Sequence, residues 1–429
     1  MIMSTHTKGR NPYYHREPIE NPDQFFDREE ILSDIFEYIR MRQSVSLVGE
    51  RRIGKTSILY QLMNRKVRAR YLPEVDSFVF VYVNPDLGIE KPQDFYHAVF
   101  RSIENQVPSF ALSEEKEIGH RTAREYLWQL RPLCLVLLLD EFQKFTTNES
   151  FSEGFYRFLR AIADAPSREY DVSLVTATPM QLYEICRPEL MGSASSAFFS
   201  GFKPVFVGSF TDGQFDSFLE KTSSPANVPL LNYRREIFDL AGRFPFFMQI
   251  ACYCYFEAWI KRGPPLDHTA IRQQFMDEAR GHFRFIWNNL NPSEQQLVLK
   301  LANGETVNQG AILRALARRG YLEDGCLFCS AFAAFVLQIS KGVWVDEKNQ
   351  TVWGNGEEVN LTDTEYRLLL ILWKNKGRLC TKNDIAMAVW PNGASDEMIQ
   401  QVVRRVRSKL GPIGQHIRTI HGRGYKLED

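Results

Sequence analysis

Residues 45–57 read VSLVGERRIGKTS. An apolar, β-branched run from Val45 to Val48 stops at Gly49, and Gly54-Lys55-Thr56 completes the spacing G-x-x-x-x-G-K-[ST]. This pattern constrains the fold more than any other stretch, because it needs a strand, a tight glycine turn and a helix in that order. Gly49 and Gly54 let backbone N–H groups curl around an anion, with Arg52 and Ile53 inside the turn. Lys55 would reach the β and γ phosphates of a nucleotide, and the Thr56 hydroxyl would ligate Mg²⁺. The helix that starts at Lys55, with Ser57 in its first turn, adds the positive end of its dipole.

A phosphate loop of this kind needs a second strand that ends in carboxylates. Residues 133–141, LCLVLLLDE, supply it: a continuous apolar run, as expected for a central parallel strand buried on both faces, ending in Asp140-Glu141. Asp140 is the candidate for the metal shell, together with Thr56, and Glu141 for orienting the attacking water. A further strand, Val172 to Thr176, runs into Thr176-Ala177-Thr178. Thr178 is the candidate γ-phosphate sensor, so the catalytic candidates are Glu141, Lys55 and Thr178.

Around these motifs strands alternate with helices. Helical spacing is predicted from Arg28 to Arg40, Gln93 to Glu104, Ser113 to Leu130 and Phe151 to Ala163, with strands at Phe78 to Val83 and Val205 to Val207. That alternation predicts an α/β fold: a parallel sheet with helices on both faces and the nucleotide at its carboxyl edge. From about Thr211 the pattern turns helical, with runs at Phe215–Leu219, Arg234–Leu240 and Phe246–Ile260, a small lid. The expected divisions are an extended lead-in at 1–24, a nucleotide-binding core at 25–210, the lid at 211–264, a helical, winged-helix-like segment at 265–340 and a C-terminal module at 341–429.

The chain carries 52 Lys and Arg against 52 Asp and Glu in 429 residues, so any nucleic-acid surface has to be local. It is local in the last module. Between Met398 and Leu427 stand Arg404, Arg405, Arg407, Lys409, Arg418, Arg423 and Lys426, with no acidic residue. Ile399, Val403, Val406 and Leu410 take the opposite helix face. A capping box at Thr362 and Glu365 opens an earlier helix, Gly354-Asn355-Gly356 turns a strand pair, and Gly411-Pro412 stops the basic helix. A cationic helix followed by a cationic hairpin suits a helix in the major groove with a wing beside it. The expected DNA contacts are Arg404, Arg405, Arg407, Lys409, Arg418 and Arg423. The seven cysteines read as small apolar residues of a reducing compartment. With no apolar stretch long enough to span a bilayer, the chain is expected to be soluble and cytoplasmic, with no membrane partner.

Residues 343–429 resemble the OmpR/PhoB-type winged-helix DNA-binding domain, through LTDTEYRLLLILWKNKGRLCTKNDIAMAVW, VVRRVRSKL and IRTIHGRGYKL. The resemblance implies a recognition helix at 396–410 and a wing at 417–427. The front two-thirds resembles AAA-like ATPases of the STAND class, close to the archaeal-ATPase group, through Phe25-Phe26-Asp27-Arg28-Glu29, GERRIGKTS, LLLDEFQ and Gly242-Arg243-Phe244-Pro245. It implies that Asp27 and Arg28 flank the adenine and that Pro245 approaches the nucleotide from the lid. The class usually has glycine where this chain has Asp27.

Together these readings predict an ATP-dependent switch, with ATP/ADP and Mg²⁺ as cofactors, that binds double-stranded DNA, regulates transcription and turns ATP over slowly. A nucleotide-dependent homo-oligomer and an unidentified protein partner stay open. Two alternatives also stand: a DNA-handling ATPase of the transposition or origin type, and a STAND defence or signalling sensor whose winged helix binds protein. Arg157, Arg160 and Arg187 lie near the expected carboxyl edge.

Overall fold

The run at Val45 forms strand β1 (Ser44–Val48), buried at every residue. It joins β2 (Phe78–Val83), β3 (Cys134–Leu139), β4 (Val172–Thr178) and β5 (Phe202–Phe206) in one sheet of order β2-β3-β4-β1-β5. Every neighbouring pair is parallel. The computed structural model describes residues 11–13, 17–113, 117–163, 170–186, 201–307, 310–340, 342–347, 350–354, 357–390 and 393–428. Arg187 and the turn residues Asn355 and Gly356 lie outside them.

The alternation of side chains along β2 sorts the two sheet faces. Val79, Val81 and Val83 point into a buried cluster with Phe95, Val99 and Ile103 of the helix Pro92–Glu104 and with Phe155 and Leu159 of the helix Glu153–Ala163. Phe80 and Tyr82 point the other way. Phe80 meets Phe36 of the helix Glu29–Arg40, and Tyr82 meets Tyr60 of the helix Lys55–Met63. Removing a core side chain such as Leu137 by alanine substitution should cost about 2–5 kcal/mol.

Some elements depart from the sequence pattern. β5 starts at Phe202, before the apolar run at Val205, because pairing with β1 sets its length; as an edge strand it leaves Lys203 and Pro204 exposed. Of the stretch Ser113–Leu130, His120–Gln129 is helical. A short helix, Arg65–Tyr71, follows the P-loop helix because Asn64 caps it, accepting from the Lys66 and Val67 N–H groups. The lid consists of Asp212–Ser223, Arg234–Ala241 and Pro245–Arg262, the first opened by a Thr211/Gln214 capping box and the last by Pro245 at its first turn.

The chain divides into two compact units, Met1–Ile271 with Ala317–Tyr321, and Arg272–Leu316 with Leu322–Asp429. The second holds helices Pro292–Ala302 and Ser330–Ser340 and a hairpin of Leu322–Glu323 with Cys326–Leu327. It ends in a winged-helix module with its own core, built from Val343, Leu368, Leu369, Ile385, Val403, Val406, Ile417 and Leu427 among others. Two small sheets frame that module's three helices, Asp363–Lys374, Lys382–Val389 and Asp396–Leu410. Among the described residues, no helix is long and apolar enough to cross a membrane.

Candidate nucleotide site and DNA-binding helix

The turn after β1 is held by contacts that leave no room for larger residues. A Cβ on Gly49 would lie 2.6 Å from the Val207 carbonyl oxygen. The Gly49 N–H donates to Thr178 O at 3.1 Å, which ties the turn to the end of β4. Gly54 has φ +108°, in the left-handed region that favours glycine, and the helix Lys55–Met63 starts directly after it. Lys55 is buried, and its Nζ donates to the carbonyls of Gly49 at 2.8 Å and Glu50 at 3.1 Å. Burial pushes the Lys55 ammonium below its ordinary range, and Glu141, Glu50 and Asp140 pull it back. A cation held by weak carbonyl acceptors in a dry turn has much to gain from a phosphate.

Asp140 is 1% exposed and accepts at both carboxylate oxygens. Thr56 Oγ1 donates to Oδ2 at 2.8 Å, and the Glu141 N–H donates to Oδ1 at 2.9 Å. Two residues that the motif pattern did not single out complete the set. Tyr82 Oη donates to the same Oδ2 at 2.8 Å, and the Asn84 side-chain amide donates to Tyr82 Oη at 3.2 Å. The signal lay in FVFVYVN, where a polar tip breaks an apolar strand next to the Asp strand. Glu141 stands at φ +46°, a conformation rare outside glycine, and its Oε2 accepts from the Gln143 amide. Thr178 is buried, and its hydroxyl donates to Met180 O at 2.7 Å.

A cavity of about 400 Å³ opens beside the loop. On the loop side it is lined by Arg51, Arg52, Ile53, Gly54, Lys55, Thr56 and Ser57, with Glu141 beside them. Its other walls are Pro18, Ile19, Phe25, Phe26 and Arg28 from before the first helix, Phe210, and Pro245, Phe246 and Gln249 from the lid. The lead-in is thus part of the site. The Ile19 N–H donates to Ser57 Oγ at 2.9 Å, and buried Gln61 donates to the carbonyls of Ile19 at 3.0 Å and Glu20 at 3.2 Å. Arg52 lies over the Phe246 ring at 4.5 Å. Arg28 donates to Gly208 O at 2.6 Å and stacks on Phe210 at 4.7 Å; burial pushes its guanidinium down to about 10, against the pull of Asp27.

Asp27 has φ +58°, in the left-handed region that glycine adopts most readily. Asp27 does not line the cavity: its Oδ1 reaches Lys221 of the lid at 3.3 Å, and its carbonyl accepts from Gln214. Glu50 in the phosphate loop is 7% exposed and pairs with Arg319 of the 317–321 segment, Nε to Oε2 2.8 Å.

In the second unit, the helix Asp396–Leu410 buries Ile399, Val402, Val403, Val406 and Leu410, with Ser395 capping it. Arg404 and Arg405 are exposed on its other side, and Arg423 is exposed at the tip of the hairpin Ile417–Ile420/Gly424–Leu427. The remaining expected contacts have partners inside the module. Arg407 donates to Ile417 O and, at 2.9 Å, to Thr419 Oγ1, fastening the hairpin to the helix. Lys409 Nζ lies 2.7 Å from Glu365 Oε2, and Arg418 lies 3.3 Å from Glu428. Burial works against the Glu365 carboxylate, but Lys409 and the Thr362 N–H outweigh it and hold the carboxyl below its usual range.

The loop, the paired strands and the lid define the first unit as a P-loop NTPase. A family model described as Novel STAND NTPase 2 matches residues 40–307, more than half of the chain, and the chain belongs to that family. A second, described as Transcriptional regulatory protein, C terminal, matches residues 356–427. The chain is 35% identical over 88 residues to the transcriptional regulatory protein QseB of Haemophilus influenzae, covering 20% of this chain and 39% of that protein. It is 38% identical over 88 residues to the uncharacterized transcriptional regulatory protein YcbL of Bacillus subtilis, covering 19% of this chain and 39% of that one. The chain therefore spans well under two thirds of these relatives' length. Among solved structures, the Walker-type ATPase PABY2304 of Pyrococcus abyssi aligns at a TM-score of 0.55 and 15% identity, over 76% of this chain and 99% of that chain, a likeness of fold.

Proposed function

We propose that this chain is an ATP-dependent switch that binds double-stranded DNA through its C-terminal winged helix and regulates transcription. The observation that carries the reading is the pairing, in one polypeptide, of a buried Lys55 facing loop carbonyls with a recognition helix that leaves Arg404 and Arg405 exposed. The domain limits in this reading are those predicted by the sequence, with DNA binding in 341–429.

Lys55 would exchange its two carbonyl partners for the β and γ phosphates, and the loop N–H groups would close on the same anion. The aromatic and aliphatic walls from Phe25, Phe26 and Pro245 suit a purine ring. Thr56 and Asp140 would hold Mg²⁺, since both offer the hard oxygens that ion takes. Mg²⁺ bound there supplies positive charge that offsets the charge developing on the transferred phosphoryl group. Glu141, once released by Gln143, is placed to accept a hydrogen bond from the attacking water. The Gln143 contact favours a slow hydrolase, in keeping with a switch.

A switch needs the nucleotide to favour one arrangement of the chain over another. The deciding experiment measures duplex DNA affinity and particle size of the full chain with ADP and with a non-hydrolysable ATP analogue. A fixed size with an affinity that differs between the two nucleotides supports the reading. Nucleotide-driven assembly would instead favour the DNA-handling machine or the sensor. Absence of DNA binding at low salt in both states would leave the protein-binding sensor.

A further inference from the structure

Asp140 accepts from Thr56, Tyr82 and the Glu141 N–H, and one of these donors, Tyr82, comes from outside both nucleotide motifs. Tyr82 is the next-to-last residue of β2, in register with Leu138, two residues before Asp140. The Asp140 N–H donates to Val83 O at 2.9 Å, so the end of β2 carries the start of the Asp140 loop. Tyr82 lies on the sheet face that packs the P-loop helix, its ring 5.3 Å from that of Tyr60. A phenol has one proton, and an ionised carboxylate only accepts. Tyr82 must therefore donate to Oδ2, while its own oxygen accepts from the Asn84 amide. The hydrogen bonds run from Asn84 to Tyr82 and from Tyr82 to Asp140, which accepts.

We infer that Tyr82 is a positioning residue for the magnesium carboxylate. The inference rests on the P-loop reading of the site. With the Glu141 N–H on Oδ1 and Tyr82 on Oδ2, rotation of the carboxylate is blocked at both oxygens. The other acceptor position of Oδ2 is the one that Thr56 now fills. If Thr56 instead held Mg²⁺, that position would be left for Asp140 to offer toward the same ion. Tyr82 thus selects which lone pair Asp140 presents. Partners of this kind behind a metal ligand are typically worth about 10–100-fold in metal affinity.

The test is a Mg²⁺ titration of the full chain at fixed fluorescent, non-hydrolysable ATP analogue, in wild type, Tyr82→Phe and Asn84→Ala. Phe keeps the ring contact with Tyr60 and removes the hydroxyl that donates to Asp140 and accepts from Asn84. The expected result is nucleotide binding without Mg²⁺ unchanged within about twofold, and a Mg²⁺ midpoint raised about tenfold in Tyr82→Phe. Asn84→Ala should shift it the same way by less, since Tyr82 loses only its brace. A Mg²⁺ midpoint that is unchanged or lower in a Tyr82→Phe protein with wild-type melting overturns the inference while leaving the P-loop reading intact. Wild-type protein that binds the analogue without any Mg²⁺ dependence removes the magnesium site and the inference with it.

Discussion

Thr56 and Asp140, 84 residues apart in the chain, meet in a 2.8 Å hydrogen bond from Oγ1 to Oδ2. The bond joins the first turn of the P-loop helix to the loop after β3, although β4 stands between β1 and β3 in the sheet. It brings the two hard-oxygen donors of the proposed magnesium site together.

Lys55→Ala should weaken nucleotide binding by about 10–100-fold, since a charge-assisted hydrogen bond is worth about 1.5–3 kcal/mol and each 1.4 kcal/mol is tenfold. Equilibrium titration with a fluorescent ATP analogue measures it. Unchanged affinity in a folded variant would sink the phosphate-site assignment.

Glu141→Gln should leave ATP bound and slow single-turnover hydrolysis by about 10²–10⁴-fold, because a neutral amide is a poor proton acceptor. Gln143→Ala should do the reverse and raise the rate, since it frees the Glu141 carboxylate from its amide partner. A slower Gln143→Ala enzyme would mean that the amide aims the carboxylate at the water.

The basic residues of the C-terminal module should separate into two groups. Loss of Arg404 or Arg405, whichever reads a guanine edge, should cost about 1–3 kcal/mol at one base position. Arg423→Ala should weaken all sequences alike and lower the salt slope by about one. Arg407→Ala should instead loosen the hairpin, because three donated hydrogen bonds to Ile417 and Thr419 go with it. Anisotropy on duplex DNA at several salt concentrations, with hydrogen exchange at Thr419 and Tyr425, tells these apart. Wild-type exchange in Arg407→Ala would remove its structural role.

Glu365 makes the module sensitive to acid. Its carboxyl is held below the usual range in the fold, so this contribution is complete above the ordinary glutamate value of about 4.3. It is lost as pH falls through the depressed folded value. Lys409→Met removes the 2.7 Å partner, brings the folded value back toward the unfolded one and should flatten the decline. Melting temperature of the full chain against pH from about 6 to 3 reports this. The same acid slope in both proteins would mean that Lys409 does not set the Glu365 carboxyl.

What the sequence determined by itself was local. The loop spacing, the apolar run ending in Asp140, the capping box at Thr362, and the acid-free stretch after Met398 are each written within about 30 residues. Short-range geometry dictates them: glycine where φ is positive, caps where N–H groups lack partners, and apolar residues at 2.0 or 3.6 periodicity. Tertiary structure decided what those pieces meet. Only the placement of β2 beside β3 brings Tyr82 to Asp140, and only the fold of the lead-in seats Ile19 on Ser57 and Gln61. The sequence pattern treats Arg407 and Lys409 as members of one cationic face with Arg404 and Arg405. Packing divides them, because the hairpin carbonyl of Ile417 and the buried carboxylate of Glu365, 44 residues away, take the first pair and leave the second in solvent. Such partners depend on how the hairpin folds back and where the helices pack, which no residue spacing encodes.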